Sequence, residues 1–303
     1  MTSMAPTMGR GSGRLRLAVA GAVVLTALTT ATATAAPTTM GGQADTSPRS
    51  LTPGFLLDRG RYITIAVPGA TGETSAVGVN NRGQIVGVYS DTSPDLGDRP
   101  DSDPTDPNYK LRGFLLDKHG RLTRIDFPGA RSSQAVGIND RGQVVGEYKA
   151  AAGKFHGYLW DKGRFTTIDV PGATATSAFG INNRGQILFI YEDDRSPFRG
   201  AVLSKGVFTR FDAPGAQITF PFGINDRGQI VGYSGDPADL TTIRGFLLAK
   251  GAKGPFTTIS RPGATVTVPT GINDRGQIVG IAFNPEATPS PQPTDPAPMG
   301  RMA

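Results

Sequence analysis

Residues 271–280 read GINDRGQIVG, and four near-copies precede them: GINDRGQIVG at 223–232, GINNRGQI at 180–187, GINDRGQVVG at 137–146 and GVNNRGQIVG at 78–87. Aligned on their Asn, the copies fall at Asn80, Asn139, Asn182, Asn225 and Asn273, in steps of 59, 43, 43 and 48 residues. One insertion, DTSPDLGDRPDSDPTDPNYK at 91–110, accounts for the long first step. A fixed period of this size marks a repeat architecture, and the decision is which one.

Each period holds four apolar runs of strand length, typified by SAFGIN (177–182), QILFIYE (186–192), GYLWD (157–161) and RFTTIDV (164–170). Aromatic and β-branched residues dominate them, and Gly, Pro or Asn-Asp separates them, as strands joined by tight turns require. Four antiparallel strands in about 43 residues is the signature of a β-propeller blade. The repeat starts at a third strand (Gly54-Phe55-Leu56-Leu57) and fourth (61–67), and stops after a first and second (267–273 and 277–283). The two ends therefore sum to one blade. The expectation is an all-β, five-bladed propeller over 53–283, closed by a blade shared between the ends, with inner hairpins near 75–90, 134–149, 177–192, 219–234 and 267–283.

Within this frame GINDRG is a turn. Asn80, Asn139, Asn182, Asn225 and Asn273 stand at its first position, where the side chain caps the backbone. Gly83, Gly142, Gly185, Gly228 and Gly276 stand at its fourth, where φ turns positive. A second glycine, such as Gly137 or Gly146, suits crowded inner strands. Pro68, Pro128, Pro171, Pro214 and Pro262, each followed by Gly-Ala, close the fourth strands.

Outside the repeat, Arg10, Arg14 and Arg16 precede LAVAGAVVLTAL and TTATATAAP. A basic start, a short apolar core and an A-x-A end predict a secretory signal peptide over 1–35, cleaved after Ala35. The rival, an uncleaved anchor, is disfavoured by five threonines between Leu17 and Ala36. Residues 36–52 then form a linker, and 284–303 a Pro-rich disordered tail. The formal charge of +6 falls to about +3 without the three leader arginines, which argues against nucleic acid as a partner. There are no cysteines, so disulfides, thiolate metal sites, lipid attachment and a cysteine nucleophile are excluded.

FTTID-x-PGA, GIN-x-x-GQIVG and HGFLL-like strands resemble the HAF-repeat family of extracellular bacterial proteins. The motifs recur as Phe165-Thr166-Thr167-Ile168-Asp169 and His156-Gly157-Tyr158-Leu159. The resemblance spans 53–283 and departs at the His, replaced by Arg112, Arg199, Arg244 and Pro53 in the other copies. It implies export and a repeat fold, and carries no catalytic residues over.

Calcium loops need about six oxygen ligands, which the turn with its single carboxylate and its Arg does not offer. No P-loop or Gly-x-Ser-x-Gly elbow occurs. No metal or cofactor is expected. His119 and His156 are the two histidines, read as exposed or hydrogen-bonding rather than catalytic. The repeated acids Asp126, Asp169, Asp212, Asp117 and Asp161 read as caps or solvated turn residues. The unrepeated Glu147 and Glu192 are the carboxylate pair on which an alternative reading, a polysaccharide-acting hydrolase, would rest.

Two surfaces remain. Arg82, Arg141, Arg184, Arg227 and Arg275 share one turn position, where they either attract an anionic polymer or stand solvated beside Asp140, Asp226 and Asp274. The loops joining second to third strands, at 91–111, 149–155, 193–198 and 235–243, alone vary in length and sequence. Tyr109, Lys154 and Phe198 are their candidate contact residues, and the acidic insertion 91–110 is read as hydrated and mobile. The expectation is a secreted, monomeric, non-enzymatic scaffold that binds a glycan, wall polymer or protein by these loops, with no membrane anchor after leader cleavage.

Overall fold

The computed structural model describes residues 54–58, 61–70, 73–90, 110–196 and 198–284. The leader, the linker, nearly all of the insertion at 91–110 and the tail beyond Asn284 lie outside the described residues. Twenty strands make up the described chain, every printed pairing antiparallel. A hairpin comes first, β1 (Gly54–Asp58) with β2 (Arg61–Ile65). Three four-stranded meanders follow: β3 (Thr74–Val79), β4 (Ile85–Ser90), β5 (Leu111–Leu116) and β6 (Leu122–Ile125); β7 (Ser132–Ile138), β8 (Val144–Lys149), β9 (Phe155–Asp161) and β10 (Arg164–Ile168); β11 (Ala175–Ile181), β12 (Ile187–Glu192), β13 (Arg199–Ser204) and β14 (Val207–Phe211). The fourth meander is β15 (Ile218–Ile224), β16 (Ile230–Asp236), β17 (Asp239–Leu248) and β18 (Phe256–Ile259), with a short 3-10 turn at Gly251–Lys253. The hairpin β19 (Val266–Ile272) with β20 (Ile278–Phe283) ends the series.

The fold is thus all-β, dominated by four-stranded antiparallel sheets in strict chain order. The blade expected to join the two chain ends is not one sheet here: β1–β2 and β19–β20 stand as separate two-stranded sheets.

Two compact units divide the chain, one running to Ile181 and including Tyr191–Pro197, the other comprising Asn182–Ile190 and Phe198 onward. In the first unit, Ile65 and Val67 pack with Ile85, Tyr89 and Phe114, which seats the β1–β2 hairpin on the β3–β6 sheet. Val86, Leu115 and Ile125 of that sheet pack in turn on Ala135, Val144 and Tyr158 of the next. In the second unit Val202 and Phe211 meet Ile230, Phe246 and Leu248, and Val266 and Val268 meet Ile243. The core is therefore a series of sheet-on-sheet seams, each filled by inward residues of adjacent sheets.

One register detail recurs. In four of the five repeats the first strand bulges one residue before the turn-proximal glycine, between Ala76 and Gly78, Ala135 and Gly137, Pro221 and Gly223, and Pro269 and Gly271. Opposite the bulge the second strand carries Gly87, Gly146, Gly232 or Gly280, where a Cβ would sit within 2.3 Å of a backbone carbonyl. In the third meander that position is Phe189.

Candidate functional site

The repeated turn was the first candidate, and its hydrogen bonds are spent on structure. Asn139 Oδ1 accepts from the backbone N–H of Arg141 (3.0 Å) and Gln143 (3.1 Å), while its Nδ2 donates to Gln143 Oε1 (2.9 Å). Gly142 closes the turn at φ 78°. Asn80, Asn182, Asn225 and Asn273 donate to Gln84, Gln186, Gln229 and Gln277 in the same way, each at 2.8 Å.

The turns also bind one another. Asn80 Nδ2 donates to the Asn139 carbonyl (2.9 Å), Asn182 to Asn225 (2.8 Å) and Asn225 to Asn273 (2.9 Å). The acid of the motif completes the ladder: Asp140 accepts from the N–H and side chain of Asn81, Asp226 from those of Asn183, and Asp274 from the N–H of Asp226. These carboxylates, read from the sequence as neighbours of the turn arginines, accept hydrogen bonds from the preceding turn. Arg82, Arg141, Arg184, Arg227 and Arg275 are exposed, and Arg141 Nε donates to Gln143 Oε1 at 3.1 Å.

The Pro-Gly-Ala segments are tight turns. The Ala N–H returns to the carbonyl three residues earlier at 3.0–3.2 Å, with the glycine at φ 74–81°. A contact that the sequence reading passed over anchors them. Ser133 Oγ accepts from Phe127 N (2.8 Å), Thr176 Oγ1 from Val170 N (3.1 Å), Thr219 Oγ1 from Ala213 N (2.8 Å) and Thr267 Oγ1 from Arg261 N (3.0 Å). The signal was present, because a Ser or Thr stands six residues before the motif Asn in all five copies.

Two of the repeated acids before Pro-Gly-Ala, Asp169 and Asp212, are corrected here: they are cross-strand partners rather than solvated caps. His156 Nδ1 lies 2.7 Å from Asp169 Oδ2, and Arg199 grips both oxygens of Asp212, Nε at 3.1 Å and Nη2 at 2.8 Å. The fourth meander has Ser260 in the acid's place, and Arg244 there donates instead to the carbonyls of Thr241 (2.6 Å) and Ile243 (2.9 Å). Asp126, beside Arg112 in sequence pattern, holds the same position in the first meander. His156 with Asp169 and Arg199 with Asp212 thus fill the same pair of repeat positions, while Arg244 persists where the acid is replaced by Ser260. Asp117 does cap its turn, accepting from Arg121 N and His119 N, each at 2.9 Å, and these bonds hold its carboxyl below the usual carboxylate range. Asp161 accepts from Gln143 Nε2 at 3.1 Å, and His119 is exposed.

Glu147 is 4% exposed, with Gln134 Nε2 donating to Oε1 (2.7 Å) and Ser177 Oγ to Oε2. Burial pushes its carboxyl up to about 7, against the Ser177 hydrogen bond and reinforced by the charge of Glu192. Glu192 is half-buried and raised by burial alone. With both oxygens engaged inside the core, Glu147 offers no surface to a substrate in this state. Among the described residues no group of three or more His, Cys, Asp or Glu is placed to hold a metal ion, and no helix is long and apolar enough to cross a membrane.

The loop candidates separate. Tyr109 lies outside the described residues. Lys154 is exposed, its Nζ 3.4 Å from the Ala173 carbonyl, on the loop after β8. Phe198 is only 7% exposed and packs on Phe220 with ring centroids 5.4 Å apart, so it is a core residue rather than a contact residue. The loops are internally braced. Asp193 Oδ1 accepts from Arg195 N and Ser196 N, Asp236 Oδ1 from Ala238 N, and Asp239 Oδ1 from Thr241 N. Within each meander these loops and the Pro-Gly-Ala turns lie at the same end of the strands, opposite the Asn-Asp turns.

No family model matches this chain, and no curated protein matches it in sequence. Among solved structures it is similar to TolB from Acinetobacter baumannii, at 14% identity and a TM-score of 0.44 over 66% of this chain and 45% of that one. It is also similar to the six-bladed β-propeller lectin of Aleuria aurantia, at 12% identity and a TM-score of 0.39 over 68% of each chain. A third likeness is to an acylaminoacyl peptidase, at 10% identity and 0.48 over 74% of this chain and 36% of that one. The chain spans less than half of the TolB and the peptidase. At TM-scores below 0.5 none of these proteins lends this chain an activity or a ligand.

Proposed function

We propose that this chain is a secreted, non-enzymatic five-bladed β-propeller that binds an extracellular glycan, wall polymer or protein through the non-repeating loops at one end of its sheets. One observation carries the reading. Apart from the exposed turn arginines, the repeated polar residues serve turn caps, inter-turn bonds and cross-strand pairs, and the segments that differ from copy to copy are the second-to-third-strand loops. Braced loops of unlike sequence on a repeated scaffold are where such folds place recognition. The leader supports export, with cleavage after Ala35, and the motif resemblance to HAF-repeat proteins agrees with it.

The fifth blade in this proposal is β19–β20 completed by β1–β2. Where the second strand has Gly, the third has a large ring beside it: Gly87 pairs with Phe114, Gly146 with Tyr158 and Gly232 with Phe246. The third meander inverts the rule with Phe189 and Ala201. By repeat position the partner of Gly280 is Phe55, a ring left 64% exposed on β1. Leu57 (51%) and Tyr62 (73%) are exposed beside it, apolar surface that a completed blade would bury.

Residues 36–290, screened against glycans, wall polymers and the proteins of the secreting cell, test the function. Binding that weakens tenfold or more when Ala150–Lys154 is replaced by a two-residue turn supports the loop reading. Uniformly absent binding to glycans and wall polymers overturns the carbohydrate form. Binding untouched by the loop exchange overturns the loop assignment.

A further inference from the structure

Position for position, Glu147 is an anomaly. The equivalent second-strand residues are Val88, Ile190, Tyr233 and Ile281, and one charged side chain interrupts this apolar layer. Its two neighbours come from different strands, Gln134 from β7 across the ladder and Ser177 from β11 of the following sheet. Tyr158 of β9 sits on the same cluster, its hydroxyl donating to the Gln134 carbonyl at 2.9 Å. Gln134 is 8% exposed, and Ser177 and Tyr158 are fully covered.

We propose that Glu147, Gln134 and Ser177 form a proton-operated latch across the seam between β8 and β11. In the closed state the carboxyl is neutral and held between Gln134 and Ser177. Loss of its proton leaves a full charge in the seam, served by two neutral donors and no cation. The cheapest relief is for β11 to part from β8 and admit water.

The surrounding charges reinforce this. β7 and β11 carry no titratable residue, and β9 presents Tyr158, whose phenol is itself held up by burial, then by Asp126 and Glu147. His156 of β9 pairs across the ladder with Tyr148, on the other face from Glu147, and its ring is tied to Asp169. β12 presents Glu192, a second carboxylate that opposes ionisation, together with the buried Tyr191. On β8 itself Lys149 holds its ammonium 5.6 Å above the Phe155 ring. Burial places the transition near neutral pH, where an exposed carboxyl would have titrated near 4.5. β8 and β12 run directly into the loops at 149–155 and 193–196, so opening would loosen the base of both.

The sign is set by the raised value. The folded state holds a proton that the unfolded chain releases, so the stability this group contributes is complete below pH 4.5 and is lost as pH rises through 7. The test follows amide-exchange protection of β8 and β11, and the denaturant midpoint, between pH 5 and 8.5. Wild type should lose protection in these two strands with a transition near pH 7, with Glu147→Gln flat across the range. Glu192→Gln should keep the transition and move it to lower pH. An unchanged profile in Glu147→Gln overturns the latch. Should that variant fail to fold, the carboxyl 13C shift of Glu147 in the wild-type protein decides: titration near 7 upholds the proposal, and titration near 4.5 overturns it. None of these readouts depends on what the loops bind.

Discussion

Replacing Asn139 by Ala removes one oxygen that serves two backbone N–H groups, those of Arg141 and Gln143. The side chain is 3% exposed, so water cannot fully replace it, and a loss of about 1–3 kcal/mol is expected from stranded donors. Arg82→Ala, in the same motif but exposed, should change stability by less than about 0.5 kcal/mol. Urea unfolding of the two variants checks the contrast, and equal losses would mean that the arginine is part of the scaffold. Thr176→Val belongs with Asn139, because it strands the Val170 N–H in a buried turn. Asn and Gly in this turn were legible from residue types alone, since local geometry selects them. The use of Asp140 was not legible, because its donors lie 59 residues away.

At the scale of the strand, the Gly-and-ring rule makes a sharper forecast. Phe189 is fully buried and packs near Phe208, with centroids 5.5 Å apart, while Ala201 occupies the ring's usual place on β13. Phe189→Gly should cost about 3–5 kcal/mol by emptying the site, and Ala201→Phe about 1–3 kcal/mol by overfilling it. The double variant rebuilds the arrangement of the other meanders. It should therefore be more stable than the sum of the singles by at least about 2 kcal/mol in a double-mutant cycle. Additive losses would show that the two positions do not share one space. Arg199→Ala, by contrast, should cost no more than about 1 kcal/mol, because its pair with Asp212 is 22% and 38% exposed. The residue types at these positions were legible in the sequence, but their contacts were not, because each joins residues 13 or more positions apart.

For the whole molecule, the decisive question is the joining of the two end hairpins. Extending the register of Gly87 with Phe114 to Gly280 with Phe55 sets Val279 opposite Leu56. The chain has no cysteine, so Leu56→Cys with Val279→Cys is a clean probe. Mild oxidation should give an intramolecular disulfide and a raised Tm. A crosslink found only between molecules would place the completing hairpin on a second copy, and no crosslink at all would refute this register.

Strand content, meander order and turn positions were set by the sequence alone, because alternation, β-branching and Gly, Pro or Asn at fixed spacing act within a few residues. What those turns and acids hold on to was decided only by tertiary structure. A hydrogen bond between neighbouring sheets joins residues 43 or 59 apart, and no local pattern records its partner. Glu147 shows the same division. Its singularity was visible in the alignment of the repeat, but its burial and its contact with Ser177, 30 residues on, were decided by the tertiary structure.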